Sequence, residues 1–226
     1  EAKSLIIQAF DYELKKEQLR LAPKIILKDN FEKINKVAGI YAAQYNKQIK
    51  AFVIVCEFPS FKILEKKSYT LDDPLAVAPE FNAYREMPAM IEAYNQLEIE
   101  PDLILVKGPG IAHPRKIGIA SHLGLALNKP TIGVTDKLIY GNIEQGKIII
   151  NNEIRGFEVK TREYANPLYL SPGYMISLGS SLDLISKMIV PPHKLPEPLY
   201  LAHRFASKGK PSKSVMNSIP EISTLN

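Results

Sequence analysis

Apolar and polar positions change along the chain in blocks that predict helices and strands in a definite order. Residues 4–20 mix charged and apolar positions without helix breakers, which favours a helix that ends before Pro23. Short β-rich runs then follow, separated by turn residues, a pattern typical of an antiparallel meander. These runs are Val37–Tyr41, Lys50–Glu57 and Phe61–Tyr69.

The middle of the chain predicts two helices around a buried strand. Within residues 80–97, apolar positions recur three or four apart, which indicates a helix with a turn or kink at Pro88. Residues 102–106, Asp-Leu-Ile-Leu-Val, form a run that is apolar after its first residue, typical of a strand covered on both faces. Pro114 then predicts the start of a helix that reaches Leu127, because the first helical position needs no N–H donor.

The rest of the chain predicts further strands and two helices. Strand, helix and a second buried strand at 131–134 predict a right-handed parallel crossover within a mixed sheet. Ser177 is expected to cap the next helix. The remaining elements are strands at 147–150, 154–159 and 168–170 and a last helix at 195–206. We therefore expect an α/β fold with a central mixed β-sheet flanked by helices, one domain over 1–206, and a mobile polar tail over 207–226.

Composition narrows the class of protein. The 226 residues are 46% hydrophobic and 23% charged, which excludes a disordered, collagenous or coiled-coil chain. No apolar run approaches the roughly 18 residues of a membrane span, and we expect no secretory leader. The single cysteine, Cys56, cannot form an intrachain disulfide, and its apolar neighbours predict a core thiol. We expect a cytoplasmic protein without a membrane partner.

Charge is uneven along the chain. The net charge is +5, and +4 of it falls between residues 107 and 137, where five basic residues accompany one acid, Asp136. The basic residues are Lys107, Arg115, Lys116, Lys129 and Lys137. Such a local excess either attracts phosphates or serves as a solvated surface.

The loop that follows the buried strand carries the candidate chemistry. Its sequence, Lys107-Gly-Pro-Gly-Ile-Ala-His113-Pro-Arg-Lys, leaves the carboxyl end of a strand and enters a helix N-terminus, where anions tend to bind. The glycines allow a close backbone approach, and we expect His113 to face the ligand. Turn glycines and a packed histidine explain the same residues, so the loop alone predicts only a cleft with basic character.

Several ordered motifs make the chain resemble the endonuclease V family over nearly its whole length. The motifs are Val37-Ala-Gly-Ile, Tyr84-Arg-Glu-Met-Pro, Gly110-Ile-Ala-His-Pro-Arg, Gly118-Ile-Ala-Ser-His-Leu-Gly, Pro130-Thr-Ile-Gly-Val, Asn166-Pro-Leu-Tyr-Leu-Ser-Pro-Gly, Leu195-Pro-Glu-Pro and Leu201-Ala-His-Arg. The resemblance implies an RNase H-like fold. It also implies an Mg²⁺-dependent hydrolase that recognises inosine in DNA or RNA and cuts one phosphodiester beyond it.

The resemblance also implies which residues should hold the metal. The family supplies an Asp on the first strand, a Glu on the following helix, an Asp at the end of the buried strand and an assisting Lys. The matching positions here are Tyr41, Glu86, Lys107 and Asp136, so only the glutamate is retained. A phenol and an ammonium are poor partners for Mg²⁺, and we expect metal binding in the family manner to fail. Lys107 and Asp136 are predicted to face each other as a charge-exchanged ion pair.

Base recognition has diverged as well. The family's wedge tyrosine corresponds to Val77, which cannot stack on a base as an aromatic ring does, and Glu80 replaces a glycine beside the phosphate path. The family has a histidine after Asp-Gly, and the matching residue here is Pro109. The family also has Gly-His-Arg after Ser-Pro, and the matching residues here are Gly173-Tyr-Met. Recognition of inosine is therefore in doubt.

Three functions follow as hypotheses. The first is a non-catalytic homologue that keeps the fold and a surface that binds nucleic acid or another protein. Glu86 and His113 are its retained catalytic positions, and we expect no metal unless one binds at Glu86. Its predicted nucleic-acid contacts are Lys107, Gly108, Gly110, Arg115, Lys116 and Lys137.

The second is an active nuclease with Mg²⁺ at a relocated site. The acids available to it are Asp72, Asp73, Glu80, Glu86 and Asp136. The third is a structural subunit of an assembly with a protein partner.

Overall fold

The computed structural model describes residues 2–208 of the chain. The helices are α1 (Ala2–Leu21), α2 (Asn82–Asn95), α3 (Ile119–Leu127), α4 (Leu178–Lys187) and α5 (Glu197–Lys208). The strands are β1 (Lys36–Tyr45), β2 (Gln48–Glu57), β3 (Ile63–Asp72), β4 (Leu103–Lys107), β5 (Thr131–Thr135), β6 (Asn142–Glu144), β7 (Lys147–Ile150), β8 (Glu153–Val159) and β9 (Leu168–Tyr174).

The strands form one mixed sheet with the order β3-β2-β1-β4-β5-β9-β8-β7-β6. Strands β1, β4 and β5 are parallel to one another, and β1–β2–β3 form the predicted antiparallel meander. The connection from β4 through α3 to β5 is the predicted parallel crossover. The expected α/β fold with a mixed sheet flanked by helices is confirmed.

Alternating side chains of the central strands supply a core on each face of the sheet. On β4, Ile104 and Val106 pack with α2 and α3, whereas Leu103 and Leu105 pack against the face that α4 and α5 cover. All four are fully buried. Because both faces are covered, β4 is apolar throughout until its last residue, Lys107, which lies at the edge of the sheet.

Helix α3 begins five residues later than Pro114 predicts. Residues 114–116 form a turn in which Lys116 has a positive φ of 59°, and Gly118 is extended, so no helix can start before Ile119. Gly118 lies against the preceding loop, where an added Cβ would come within 2.4 Å of the Pro109 carbonyl oxygen. That carbonyl also accepts the N–H of Ala120, so the predicted anion-binding helix end is partly occupied by the chain itself.

Other predicted elements are confirmed with small differences. Ser177 caps α4, since its hydroxyl accepts the Ser180 N–H at 3.2 Å. Helix α2 passes through Pro88 without interruption. The short strand β6 was not predicted, and α5 continues to Lys208, two residues past the expected domain end. The rest of the predicted tail, 209–226, lies outside the described residues. None of the described helices has the length and apolar character needed to cross a membrane.

Candidate functional site

The parallel register brings three chemically distinct side chains to one edge of the sheet. Ile40 of β1 lies opposite Val106 of β4, so the next residue on each strand, Tyr41 and Lys107, emerges side by side. Lys107 is in turn opposite Val134 of β5, and Asp136 follows two residues later. Parallel strands end at the same edge, and residues that are distant in sequence therefore meet there.

Lys107 and Asp136 form an ion pair at this edge. The lysine side chain is 19% exposed and the aspartate side chain 48% exposed. Burial lowers the pKa of Lys107, and the hydrogen bond and negative charge of Asp136 oppose that shift. The charge-exchanged pair predicted from the sequence is confirmed.

Tyr41 presents a neutral phenol beside this pair. Burial raises its pKa, and the nearby charges of Glu86 and Asp136 add to the effect. Its ring meets the exposed ring of His203 on α5 edge-on, with centroids 5.1 Å apart. Sequence reasoning did not select His203 as a site residue, although it lies in the quoted motif Leu201-Ala-His-Arg.

Glu86 faces the same cleft from α2. The side-chain amide of Asn82 donates to its Oε1 at 2.7 Å, and burial raises the pKa of the carboxyl group. The cleft has a volume of about 710 Å³ and lies between α2, the loop after β4 and the segment after β5. Tyr41, Lys107 and Asp136 line it with Glu86, so the structure brings together the three positions at which the resemblance implies metal ligands and the position of the assisting lysine.

His113 has both ring nitrogens engaged. Nε2 donates to the Glu80 carbonyl oxygen at 3.0 Å, and Nδ1 accepts the Arg115 N–H at 3.2 Å. The residue is 2% exposed, and burial lowers its pKa to about 4. A neutral ring with two satisfied nitrogens offers no free site for proton transfer to a substrate. This geometry favours a structural role for His113 over the catalytic one expected from the sequence.

Arg115 belongs to the same buried network. Its Nε donates to the side-chain oxygen of Gln18 at 2.5 Å, and its guanidinium pairs with the Glu80 carboxylate at 3.1 Å. Gln18, fully buried, also donates to the Glu80 carbonyl oxygen at 3.0 Å. With only 10% of its side chain exposed, Arg115 joins α1 to the loop after β4 and is a poor candidate for the phosphate contact predicted from the sequence.

The basic surplus between residues 107 and 137 is largely offset by acids from elsewhere in the chain. Lys116 pairs with Glu153 at 2.6 Å, and Lys129 pairs with Glu100 at 2.6 Å. Together with the pairs of Lys107 and Arg115, four of the five cations have a carboxylate partner. Lys137 is exposed and has no ion-pair partner among the described residues. The cleft is thus less basic than the local sequence predicts.

The glycines of the loop after β4 allow neighbouring segments of the protein to pack closely against the loop backbone. An added Cβ at Gly110 would come within 2.2 Å of the Pro172 carbonyl oxygen, and Gly110 N–H is bound by the Ser171 hydroxyl at 2.8 Å. Gly108 has φ of 152°, which favours glycine, and a Cβ there would meet Ile119. Close backbone contact within the protein explains both positions, and their predicted contact with nucleic acid stays a prediction.

The acids proposed for a relocated metal site do not form one donor cluster among the described residues. Asp136 binds Lys107, Glu80 binds Arg115, and Asp72 accepts the Gln48 side-chain amide at 2.6 Å. Within residues 2–208, no three His, Cys, Asp or Glu side chains come close enough together to hold a metal ion. At the metal positions that the resemblance implies, the groups present are the Glu86 carboxyl, whose pKa is raised, and the Asp136 carboxylate, which is paired with the Lys107 ammonium. This donor set does not fit Mg²⁺.

Comparison with known proteins identifies the relationship. The sequence model of the family described as Endonuclease V matches residues 19–204, which is most of the chain. The chain belongs to the endonuclease V family. The endonuclease V of Dictyoglomus thermophilum is 35% identical over 199 residues, which cover 84% of this chain and 87% of that protein.

Solved endonuclease V structures share the fold. That of Bacillus subtilis has a TM-score of 0.77 and 28% identity, and the match covers 88% of this chain and 94% of that one. That of Ciona intestinalis, in complex with a 24mer DNA containing an inosine followed by a ribo-adenosine, has a TM-score of 0.81 and 22% identity over 88% and 97% of the two chains. The RNase H-like fold expected from the endonuclease V resemblance is confirmed.

Proposed function

We propose that the protein is an endonuclease V homologue that binds nucleic acid and does not hydrolyse it with Mg²⁺. The observation that carries the proposal is the ion pair of Lys107 with Asp136 beside Tyr41, at the edge where the family resemblance implies two metal-binding aspartates. An ammonium in that position repels a divalent cation. At an effective dielectric near 20, two unit charges about 4 Å apart interact by roughly 4 kcal/mol, so the repulsion from Lys107 cancels the attraction that Glu86 alone offers at a similar distance.

Nucleic-acid binding is proposed because the scaffold and its cleft persist. The cleft of about 710 Å³ is open at the edge of the sheet, and the Ciona homologue of the same fold is in complex with DNA. The whole chain carries a net charge of +5, which favours polyanions. Lys107 supplies a cation where a metal would otherwise approach a phosphate, so a strand can be held there without activation of water.

A two-part assay tests this function. Inosine-containing DNA or RNA, incubated with the protein in Mg²⁺ or Mn²⁺, is expected to stay intact, while fluorescence titration detects binding that weakens steeply with salt. Discrete cuts that Glu86→Ala abolishes would show a working metal site and contradict the loss of hydrolysis. The absence of any binding at low salt would contradict the nucleic-acid function.

A restoration variant makes the test sharper. Tyr41→Asp combined with Lys107→Asp and Asp136→Lys rebuilds the donor set that the resemblance implies beside Glu86. Calorimetric titration should detect Mg²⁺ binding to this variant and none to the natural protein. Equal Mg²⁺ affinity of the two proteins would show that Lys107 and Tyr41 do not determine metal binding.

A further inference from the structure

A second pocket lies on the α5 side of the Lys107–Asp136 pair, and we call it the basic pocket. Its volume is about 550 Å³, within the range of small-molecule sites. The end of β1, the segment between β8 and β9, the connection from α4 to α5, and α5 itself form its walls. The lining side chains used below are Tyr41, Arg162, His193, Lys194, Tyr200 and His203.

Two cations in this pocket have no carboxylate partner within residues 2–208. Neither Arg162 nor Lys194 forms an ion pair with any residue of the described chain, in contrast to the paired cations of the loop after β4. The Arg162 guanidinium donates to the Pro192 carbonyl oxygen at 3.3 Å, which holds it against the α4–α5 connection. Lys194 is near enough to Lys107 for its positive charge to help lower the pKa of that lysine.

The acids near the pocket are already engaged. Asp136 pairs with Lys107, and Glu197 accepts from His193 Nδ1 at 2.7 Å. The pocket therefore retains the positive charge of Arg162 and Lys194 and is complementary to an anion with more than one oxygen. A planar guanidinium beside an ammonium is a common arrangement for binding phosphate.

Aromatic rings form another part of the pocket surface. His193 stacks on Tyr200 with ring centroids 3.5 Å apart and an interplanar angle of 17°. Tyr41 and His203, which also line the pocket, pack edge-on against each other. Flat rings next to cations suit a base attached to its phosphate, and the volume exceeds what inorganic phosphate alone would fill.

We propose that the basic pocket binds one nucleoside phosphate unit of a single-stranded nucleic acid, with Arg162 and Lys194 on the phosphate. The proposal rests on the nucleic-acid function above and specifies which part of the surface binds the strand. Because the pocket shares Tyr41, Lys107 and Asp136 with the larger cleft, the two are contiguous. A strand in the cleft can therefore place its neighbouring nucleotide in the pocket.

Paired variants test the pocket directly. We compare Arg162→Gln/Lys194→Gln with Arg20→Gln/Lys24→Gln, which removes the same two charges from the surface at the end of α1, outside both pockets. Fluorescence anisotropy with a short labelled oligothymidylate at low salt is expected to show roughly tenfold weaker binding for the pocket variant and less than about a twofold change for the control. Equal losses in the two variants, or no loss in either, would overturn the proposal.

Titration with thymidine 5′-monophosphate tests the basic pocket independently of the proposed nucleic-acid function. If the natural protein binds no oligothymidylate, the nucleic-acid function is wrong. Shifts of pocket resonances on addition of the mononucleotide, absent in Arg162→Gln/Lys194→Gln, would then still support the nucleoside phosphate site. If neither the oligonucleotide nor the mononucleotide binds, or if inorganic phosphate produces the same shifts at the same concentration, the nucleoside phosphate site is refuted.

Discussion

The buried state of His113 makes a quantitative prediction about stability in acid. In the folded protein, Nε2 donates to a carbonyl and Nδ1 accepts an N–H. Both hydrogen bonds require the neutral imidazole, so the His113 ring resists protonation. Its pKa is lowered from 6.5 to about 4 by burial first of all. Between these values the unfolded chain binds a proton at this residue that the folded chain does not, so the free energy of unfolding falls as the pH decreases.

The size of the effect follows from the shift. Each unit of pKa difference corresponds to about 1.4 kcal/mol, so between pH 7 and pH 4.5 this histidine alone should remove about 2 kcal/mol of stability. His113→Gln retains one donor and one acceptor but cannot titrate. The variant should therefore unfold with a shallower pH dependence than the natural protein.

Urea denaturation at a series of pH values measures this difference. The expected result is that the natural protein loses about 2 kcal/mol more than His113→Gln on acidification from pH 7 to pH 4.5, with similar urea m-values. Parallel pH profiles for the two proteins would refute the argument, because they would mean that the folded protein accepts a proton at His113 as readily as the unfolded chain.

Three further outcomes follow from the structure. Asp136→Asn should destabilise the protein by about 1–2 kcal/mol in urea unfolding, because it leaves the mostly buried Lys107 ammonium unpaired. Lys107→Met should cost less, since the carboxylate that it leaves unpaired, Asp136, is half exposed. Gly110→Ala should cost about 3 kcal/mol through its contact with the Pro172 carbonyl, whereas Gly179→Ala, at an exposed position of α4 with nothing near its Cβ, should be neutral or stabilising. Cys56, buried and with its pKa raised to about 12, should react with a thiol reagent only after unfolding.

Each of these outcomes has a contrary result. Equal losses for Asp136→Asn and Lys107→Met would indicate a solvent-screened pair. If both glycine variants were equally stable, the close approach at Gly110 would be without energetic effect. Labelling of Cys56 in the folded protein at the rate seen in urea would show that its strand opens readily.

The hydrophobic pattern was sufficient to predict most of the fold. The apolar run at 102–106 and the Ser177 cap identify their elements locally, because burial on both faces and N-cap chemistry are properties of neighbouring residues. The start of α3 was not predictable from Pro114, since the helix is delayed by packing of Gly118 against a loop that folds back on itself. Strand β6, three residues long, has too short a pattern to detect.

The site was predictable in part. The facing of Lys107 and Asp136 followed from the family pattern and is confirmed. The neutralisation of the local charge was not visible, because the partners Glu80, Glu100 and Glu153 come from other segments of the chain. The basic pocket has the same origin in tertiary structure, since Arg162 and Lys194 are more than thirty positions apart in the sequence.

The exchange of charges across the β4 and β5 ends also restricts how this protein can change. Reversing Lys107 alone would set two carboxylates against each other, and reversing Asp136 alone would set two ammonium groups together, each at a cost on the order of a few kcal/mol. Neither single charge reversal is a favourable intermediate toward the aspartate and lysine that the family resemblance implies at these positions. Such a pair is reached by replacing both residues together or by first passing through a neutral residue at position 107, which spares the half-exposed Asp136 a like-charged neighbour.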